Sequence, residues 1–559
     1  MKNKIIIIVA VVMTSLLLAG CDDFLTQTNN TNPNQETFFD SDEALMAATA
    51  PLYNYVWYTF NDKFYYGMGD GRANNITARW SDYIHPYTNL NETALSIGLE
   101  DAWGSFYSVI AQSNNVINNI NDFATSAVSE EVKQQAIGEA RFMRGVAYWY
   151  LASLWGKAII YERTSDLVNN SAVPTHRPAD VIEFAIRDLE YAAKYLPKTT
   201  TPAGRVNKYS AFGMLSRIYL SMAGLTQEGE FNGNNIATDP NRGVRNDYYL
   251  DLAKKAALKV IEESSFALMD NYADLFTYEN NNCKEALFQL QWLIGSTDAI
   301  GWGANQSITA YFGWSTMVAD ATNWGNATYA SWDLVRSYDP KDKVRRYSTI
   351  ATYGDFYPEL YKKGSGYTYG VTETGYNEKC NIKKYVIGTM DDNGVSYKQS
   401  SGLNTHMLRL AEVYLNLAEA ILGNNASTSD ATALTYFNKV RERAKMPTKD
   451  VITFDDLKYE RRIELAMEGQ YWYDLVRRSY YRQQEVVNYM NNQDRNASYE
   501  YDESADVLYV KVNEGTGVST ATVGSLTLPV SDVDKSKNPY LDKDPVAYPF
   551  AEEKITDLY

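Results

Sequence analysis

The chain has 559 residues, 45% hydrophobic and 22% charged, a balance typical of folded globular proteins and unlike that of disordered chains. Its formal net charge of −17 repels phosphate backbones, so the composition argues against a nucleic-acid partner. The aromatic content is unusual, with 45 tyrosines and 11 tryptophans whose amphipathic faces can pack in a core or bind a ligand.

Residues 1–20 predict an export signal. Lys2 and Lys4 precede an apolar stretch at 5–18 that is short for a permanent membrane-spanning anchor. The order Leu-Ala-Gly-Cys that follows is a lipobox, so Cys21 is the expected site of lipidation and cleavage. The alternative is a plain signal peptide with an incidental cysteine. Because no later stretch approaches about 18 apolar residues, the mature protein is predicted to be anchored by lipid and not to span a membrane.

Residues 24–40 are rich in Asn, Thr and Pro, so 21–40 are predicted to form a tether that leads into a single domain at 41–559. A helix is predicted to begin at Asp42, with Ser41 as its N-cap. Apolar residues at helical spacing predict further helices over 103–120 and 129–155.

Two helical pairs, far apart in the chain, resemble each other. The first pair is predicted over 209–224 and 250–264, and the second over 405–423 and 431–444. In each pair the first helix has a Tyr-Leu step after a charged residue, and the second has small residues that let helices cross closely. Stacked pairs of about 34 residues build tetratricopeptide superhelices, so a mainly α, tetratricopeptide-like superhelix is predicted, although neither pair fits the full consensus.

The predicted scaffold comprises residues 41–264 and 404–478, and a loop-rich insert at 265–403 interrupts it. The insert has weak helical periodicity, and five of the eleven tryptophans fall within it. Irregular loops held by a rigid scaffold are a usual place for recognition, so the insert is predicted to face a ligand.

The last scaffold helix is predicted over 454–478, and residues 479–559 are predicted to form C-terminal loops with a short β-hairpin. The hairpin is expected within 499–530, where DVLYVKV and then SLTLPV alternate in polarity. Apart from Cys21, the chain has only Cys283 and Cys380, so one internal disulfide is possible and the sequence does not reveal whether it forms.

Several stretches, together with the lipobox and its acidic followers, resemble the SusD/RagB family of outer-membrane lipoproteins of the Bacteroidetes. The resemblance covers nearly the whole chain. The stretches that carry it are EARFMRGVAYWYLASLWGKAIIY at 139–161, MLRLAEVYLNLAEAIL at 407–422, FNKVRERAKMP at 437–447, YERRIELAMEGQYWYDLVR at 459–477 and LTLPVSDVDKSKNPYL at 526–541.

The resemblance implies a lid on a SusC-like TonB-dependent transporter that captures oligosaccharides, or peptides in some members. It also bears on Asp22 and Asp23, which follow the lipidated cysteine. In enteric bacteria an acidic residue at this place favours retention in the inner membrane, whereas the lipoproteins that this chain resembles use such residues for surface export. The expected location is therefore the outer membrane, facing the cell exterior.

A glycan site needs exposed aromatic platforms flanked by polar groups, because sugars present apolar faces and a rim of hydroxyl groups. By their order along the chain, Trp80 and Trp324 resemble the family's platform tryptophans, and Trp302 lies where an aromatic contact is also found. Packing within the fold is the competing interpretation for every candidate, and Asp70 and Arg72 could instead pair with each other or cap a turn. The remaining candidates are Asn75, Tyr83, Tyr87 and Trp314.

No catalytic signature is evident in the sequence. His85, His176 and His406 are isolated from one another, and the glycine-rich run at 67–71 lacks the Lys-Ser/Thr ending of a phosphate loop. A non-catalytic glycan receptor is therefore predicted, with no cofactor; a structural calcium ion is not readable from the sequence. The alternatives are a peptide-capturing lid of the same fold and an anchored glycosidase, whose two carboxylates the 69 acidic residues could supply.

Overall fold

The computed structural model describes most of the predicted domain. The export signal, Cys21 and most of the tether lie outside the described residues, and no helix within the described part is long and apolar enough to cross a membrane. The described residues are 38–78, 83–168, 170, 172–294, 306–320, 327–373, 379–512, 517–552 and 554–559.

The chain is mainly α-helical, as the sequence predicts, and its longest helices lie before and after the insert. The α-helices are α1 Asp42–Thr49, α2 His85–Asn89, α3 Leu99–Phe123, α4 Glu130–Trp155, α5 Pro178–Tyr195, α6 Lys208–Leu225, α7 Asp247–Glu263, α8 Ile308–Phe312, α9 Trp332–Val335, α10 Lys343–Thr349, α11 Met390–Asn393, α12 Leu410–Leu422, α13 Ala431–Arg443, α14 Phe454–Glu464, α15 Tyr471–Asn491 and α16 Asp532–Lys537.

The strands are short and pair two by two, all antiparallel. The described pairs are β1 with β3, β2 with β10, β4 with β7, β5 with β6, β8 with β9, β11 with β12 and β13 with β14. Their bounds are β1 Ile76–Ala78, β2 Ala286–Leu290, β3 Thr328–Ala330, β4 Ile350–Ala351, β5 Phe356–Tyr357, β6 Tyr367–Thr368, β7 Asn381–Ile382, β8 Ser396–Tyr397, β9 Ser400–Ser401, β10 Thr405–Arg409, β11 Ser427–Thr428, β12 Ile452–Thr453, β13 Ser498–Asp502 and β14 Val507–Val512.

The scaffold helices pack in chain order, α3 on α4, α4 on α5, α5 on α6 and α6 on α7, and the array continues from α7 to α12 and α13 across the insert. This is the tetratricopeptide-type superhelix that the sequence predicts. The predicted cap is also present, since Ser41 accepts a hydrogen bond from the backbone N–H of Ala44 at the start of α1. Ser129 caps α4 in the same way, through the N–H of Val132.

The two predicted helical pairs are joined by the charged residues that precede their Tyr-Leu steps. Arg217 precedes Tyr219 in α6, Glu412 precedes Tyr414 in α12, and Arg217 Nε donates to Glu412 Oε1 over 2.7 Å. Both charged side chains are buried, so each compensates the desolvation of the other. The repeated motif therefore places two complementary charges at the contact between the two halves of the scaffold.

Two predicted helices, those over 405–423 and 454–478, differ from the structure in their bounds. Residues 405–409 form β10 instead of the first turns of a helix, because they pair with β2. The stretch 454–478 is divided between α14 and α15, with Met467 and Gly469 at φ +66° and +65° between them. Left-handed backbone at two residues ends a right-handed helix.

The hairpin also forms with a different partner from the predicted one. The DVLYVKV stretch supplies β14, but its partner is β13, which precedes it, and not SLTLPV. The latter contributes a short 3₁₀ helix, Val523–Leu526, and Leu528 donates its N–H to the carbonyl of Leu154 over 2.7 Å. Strand β14 has one candidate partner on each side in the sequence, and it pairs with the one that the shorter loop connects, because closing a shorter loop costs less entropy.

Cys283 and Cys380 are both free thiols, so the disulfide that the sequence leaves open is not formed. Cys380 is buried, and burial raises the pKa of its thiol to about 12, which leaves the thiolate scarcely populated near neutral pH. Cohesion therefore comes from burial and hydrogen bonding.

The insert is joined to the scaffold by a buried ion network. Its members are balanced, five acids and five bases, and their side chains are at most 8% exposed. Because unpaired buried charges are strongly unfavourable, the network fixes the positions of the elements that contribute to it. The acids are Glu285, Asp342, Glu460, Glu464 and Glu468, and the bases are Arg345, Lys384, Arg409, Arg441 and Arg443.

A half-buried carboxyl on α5 should make stability depend on pH. Burial, together with the nearby charges of Glu183 and Glu230, raises the pKa of Glu190 to about 8, although the Tyr219 hydroxyl donates to it over 2.6 Å. A carboxyl whose pKa is higher in the folded state destabilises the fold progressively between pH 4.5 and about 8.

Replacing Glu190 by glutamine should therefore raise the free energy of unfolding at pH 8 by roughly 1–2 kcal/mol, while changing it little at pH 4.5. Urea titrations at the two pH values measure the difference. Glu263→Gln, at an exposed end of α7, is the control. An equal change in the free energy of unfolding at both pH values would show that folding does not raise the pKa of Glu190.

Candidate functional site

The two segments that carry Trp80 and Trp324 leave the same end of one strand pair. In the antiparallel ladder of β1 and β3, Ala78 is opposite Thr328. The chain continues from Ala78 toward residue 80, and it enters β3 at Thr328 from residue 324. Both tryptophans lie outside the described residues, so their role stays a prediction.

The strand pair is held firmly where these segments begin. The Thr328 hydroxyl donates to the carbonyl of Tyr311 over 2.9 Å, and His85 Nε2 lies 2.9 Å from the carbonyl oxygen of Ala78. At the opposite end, the Ser331 N–H donates to the carbonyl of Asn75 over 2.9 Å. The strands thus provide a fixed frame for the loops that follow.

The segment that carries Trp302 begins and ends beside residues 401 and 402, and Trp302 itself lies outside the described residues. Before the segment, Leu293 and Ile294 are 63% and 44% exposed. After it, Gln306 is fixed by a bond from its side-chain amide to the Ser401 hydroxyl over 2.7 Å. The exposure of Leu293 and Ile294 shows that the residues before this segment are open to solvent.

A cluster of tyrosines around one acid lies between these segments. Burial raises the pKa of Tyr311, and the charge of Asp62 raises it further, with smaller electrostatic contributions from Tyr58 and Tyr83. The Ser307 hydroxyl donates to the Asp62 carboxylate. Tyr58 and Tyr83 are half-buried and keep part of their surface in solvent. The cluster combines aromatic surface with a nearby carboxylate.

Tyr83 is thus the one described candidate that borders the site and keeps exposed surface. Sequence reasoning missed Tyr58, Asp62 and Tyr311. A signal for the first two was available, because residues four apart share a helix face and the segment from Tyr55 through Gly71 is helical. Tyr311 had no local signal, because only its tertiary contact with Thr328 brings it to the strand ends.

Five other candidates are buried in the fold, which corrects the prediction that they offer binding surface. Asp70 is 0% exposed and accepts hydrogen bonds from the N–H groups of Met467 and Gly469 over 3.0 and 2.6 Å. Asn75 donates to Asp70 over 2.8 Å and accepts from Arg462 Nε over 2.9 Å. Burial raises the pKa of Asp70 to about 6. These two side chains join the segment 70–75 to α14 and to the link between α14 and α15.

Arg72 is also 0% exposed, and its partner is Glu92, not Asp70 as one alternative held. Its guanidinium carbon lies 4.4 Å from the centre of the Trp472 ring, a cation–π contact inside the core. Tyr87 and Trp314 are likewise fully buried, and Trp314 Nε1 donates to the Tyr367 hydroxyl over 3.0 Å. Four of the five share a reason: Asp70, Asn75, Arg72 and Trp314 each complete a contact with a residue distant in sequence.

The histidines remain separate in the structure. Burial lowers the pKa values of His176 and His406, and each ring is used in a structural contact. His176 Nδ1 accepts from the N–H of Ile160 over 3.2 Å, and His406 Nε2 lies 2.8 Å from the carbonyl oxygen of Leu275. Among the described residues, no three His, Cys, Asp or Glu side chains are grouped as metal ligands.

Comparison with family models gives two matches that cover most of the chain. The model of the SusD family matches residues 266–546. A model described as starch-binding associating with outer membrane matches residues 23–220. Together they cover the insert and most of the scaffold on both sides.

Individual proteins show the same relationship. A SusD-like protein of Bacteroides ovatus is 37% identical over 573 aligned residues, with 99% of each chain covered. A crystal structure with xylogluco-oligosaccharide is 37% identical, with a TM-score of 0.80 and 91% of this chain and 100% of that chain covered. The starch-binding protein SusD of Bacteroides thetaiotaomicron is 25% identical, covering 62% of this chain and 65% of its own.

Proposed function

This chain belongs to the SusD family, and from that membership we propose that it is a non-catalytic glycan receptor on the outside of the outer membrane. A lipid on Cys21 anchors it to that membrane. Its loops capture an oligosaccharide or polysaccharide, and a SusC-like TonB-dependent transporter receives the captured glycan.

The observation that carries the proposal is the 37% identity to a protein whose crystal structure holds a xylogluco-oligosaccharide. The likeness extends over 91% of this chain and includes the insert, where sequence divergence is usually greatest. It supports a shared class of ligand more strongly than the fold does, because one fold hosts many functions. The identity of the sugar is a separate matter, since loop residues set it.

In the proposed mechanism, Trp80 and Trp324 form the platform on which sugar rings stack. The β1–β3 pair supports both loops from one end, so a ring could contact both indole faces without reorganisation of the frame. Tyr83 extends the aromatic surface, and Asp62 supplies negative charge behind it. Trp302 approaches from the segment between Ile294 and Gln306. Binding by stacking makes no covalent change in the glycan.

The first test is retardation of the lipid-free chain, residues 22–559, in native gels that contain xyloglucan, laminarin or starch. We expect at least one polysaccharide to retard it, with no new reducing ends after prolonged incubation. Fluorescence titration with basic peptides runs in parallel, because the net charge of −17 would attract them. Binding to peptides alone would favour a peptide-capturing lid, and release of reducing ends would favour an anchored glycosidase.

A further inference from the structure

A cavity in the insert lies apart from the strand ends that carry the predicted platform. Its volume is about 390 Å³, within the range of small-molecule sites. Residues 273–279, 347–362 and 383–393 supply its lining, and neither β1 nor β3 contributes to it. Nothing in the proposed platform uses these residues, so the cavity needs an explanation of its own.

One wall of the cavity is aromatic and rigid. The rings of Tyr347 and Tyr357 are stacked with centroids 4.7 Å apart and an interplanar angle of 29°. The Tyr357 hydroxyl donates to the carbonyl of Tyr347 over 3.2 Å, which fixes the pair. Phe276 and Tyr278 line the same cavity. Aromatic faces that are fixed before binding offer a stacking surface with little loss of side-chain entropy.

The rim of the cavity carries hydrogen-bonding groups of the kind that recognise hydroxyls. Asp274, Glu279 and Glu359 supply carboxylate oxygens. Glu359 forms an ion pair with Lys383 over 3.1 Å, so its charge is balanced within the wall. Asp274 and Glu279 have no basic partner among the described ion pairs. Ionised carboxylates make strong hydrogen bonds to hydroxyl donors, and aromatic faces beside them complete the chemistry of a sugar site.

The cavity also lies beside the segment that carries Trp302. A Cβ atom built on Gly402 would lie 3.1 Å from Tyr278 Cε2 and 3.2 Å from Ile294 Cγ1, so both side chains pack on this glycine. Tyr278 lines the cavity, and Ile294 is the last described residue before the segment. A larger residue here would crowd both side chains, which would have to shift by a few tenths of an ångström. The cavity thus lies beside the start of that segment.

We propose that this cavity is a second glycan-binding site, which takes one or two neutral sugar units against Tyr278 and Tyr347. The proposal rests on the proposed glycan-receptor function. Tyr278 stacks on the apolar face of the sugar, and Asp274 and Glu279 accept hydrogen bonds from its hydroxyl groups. A long glycan occupies the platform and the cavity at the same time, whereas a short fragment occupies one site or the other. The cavity therefore adds avidity for polymers.

The test uses three disaccharides, cellobiose, laminaribiose and maltose, and ligand-observed saturation-transfer NMR. The starting protein is the double variant Trp80→Ala, Trp324→Ala of residues 22–559, in which the platform is removed and the cavity is intact. We expect it to keep saturation transfer from at least one disaccharide. Adding Tyr278→Ala should reduce that signal at least fivefold, whereas adding Tyr540→Ala, at a 39% exposed tyrosine outside the cavity, should not.

Two outcomes would overturn the second site. One is loss of all disaccharide signal in the platform double variant while the wild type still binds. The other is an equal signal with and without Tyr278→Ala. Both leave the receptor function standing, because the wild type still binds polysaccharide in the gels. Failure of the wild type to bind any polysaccharide would instead remove the receptor function, and the second site with it. Circular dichroism confirms that each variant is folded.

Discussion

Replacing Glu464 by glutamine should lower the free energy of unfolding by about 3–5 kcal/mol, because it leaves buried bases without their counter-charge. Glu464 is fully buried on α14. Its carboxylate contacts three guanidinium groups, those of Arg409 over 2.6 Å, Arg345 over 3.2 Å and Arg443. Their combined charge lowers the pKa of Glu464 far below its usual range, so the group is ionised throughout the pH range of folding.

Glutamine keeps the size of the side chain and removes its charge. The network then has five bases and four acids, and one positive charge stays uncompensated where water is excluded. Since the network joins the insert to α13 and α14, the insert should loosen as well. Urea unfolding followed by circular dichroism measures the stability, and limited proteolysis of residues 265–403 reports the loosening.

The matched control is Glu485→Gln, which removes an acid that pairs with Arg478 at the protein surface. Glu485 is 45% exposed, and a surface pair of this kind contributes less than about 1 kcal/mol. A loss of similar size in both variants would contradict the role assigned to the buried network. The same network predicts acid sensitivity: its bases lower the pKa of Glu468 to about 2, so its contribution is complete above pH 4.5 and is lost as the pH falls toward 2.

Replacing Trp80 and Trp324 together by alanine should weaken glycan binding about 100-fold while leaving the fold intact. Each of two stacking residues at the centre of a site is expected to contribute about 1.4 kcal/mol, which corresponds to a tenfold change in affinity, so the two together account for about 100-fold. In the proposed role both indole rings face the ligand and not the core, so we expect the free energy of unfolding to change little. Calorimetric titration with the glycan found in the gel experiment measures the loss.

Trp80→Phe with Trp324→Phe is the matched control, because phenylalanine keeps an aromatic face of smaller area. We expect this pair to lose about tenfold in affinity, between the wild type and the alanine pair. Undiminished binding in the folded alanine pair would show that the platform lies elsewhere. The second site would then become the main candidate.

The helical scaffold could be predicted from sequence because its signals are local. Apolar residues at helical spacing over 129–155 and the N-cap at Ser41 are read from neighbouring residues, and both are present in the structure. The end of α14 could not be predicted. It depends on Asp70, nearly 400 residues away, which binds the N–H groups of Met467 and Gly469. The sequence does not reveal a contact across such a separation.

The candidate site was harder to predict for the same reason. Asp70, Arg72 and Trp314 have the residue types of a sugar site, but tertiary partners bury them in the fold. Residue type shows what a side chain can bind, but it does not show whether its partner is a ligand or another residue of the fold. Tyr311 was missed for the opposite reason. No neighbour in sequence marks it as a site residue, and the hydrogen bond from the Thr328 hydroxyl to its carbonyl places it beside the site.

The most direct test of the central claim is calorimetric titration of residues 22–559 with xylogluco-oligosaccharide, followed by chromatography of the recovered ligand. We expect saturable binding that Trp80→Ala with Trp324→Ala weakens about 100-fold, and ligand recovered at its original length. If wild-type protein shortens the ligand, or binds neither it nor the xyloglucan, laminarin and starch of the gel experiment, the chain is not the glycan receptor proposed here.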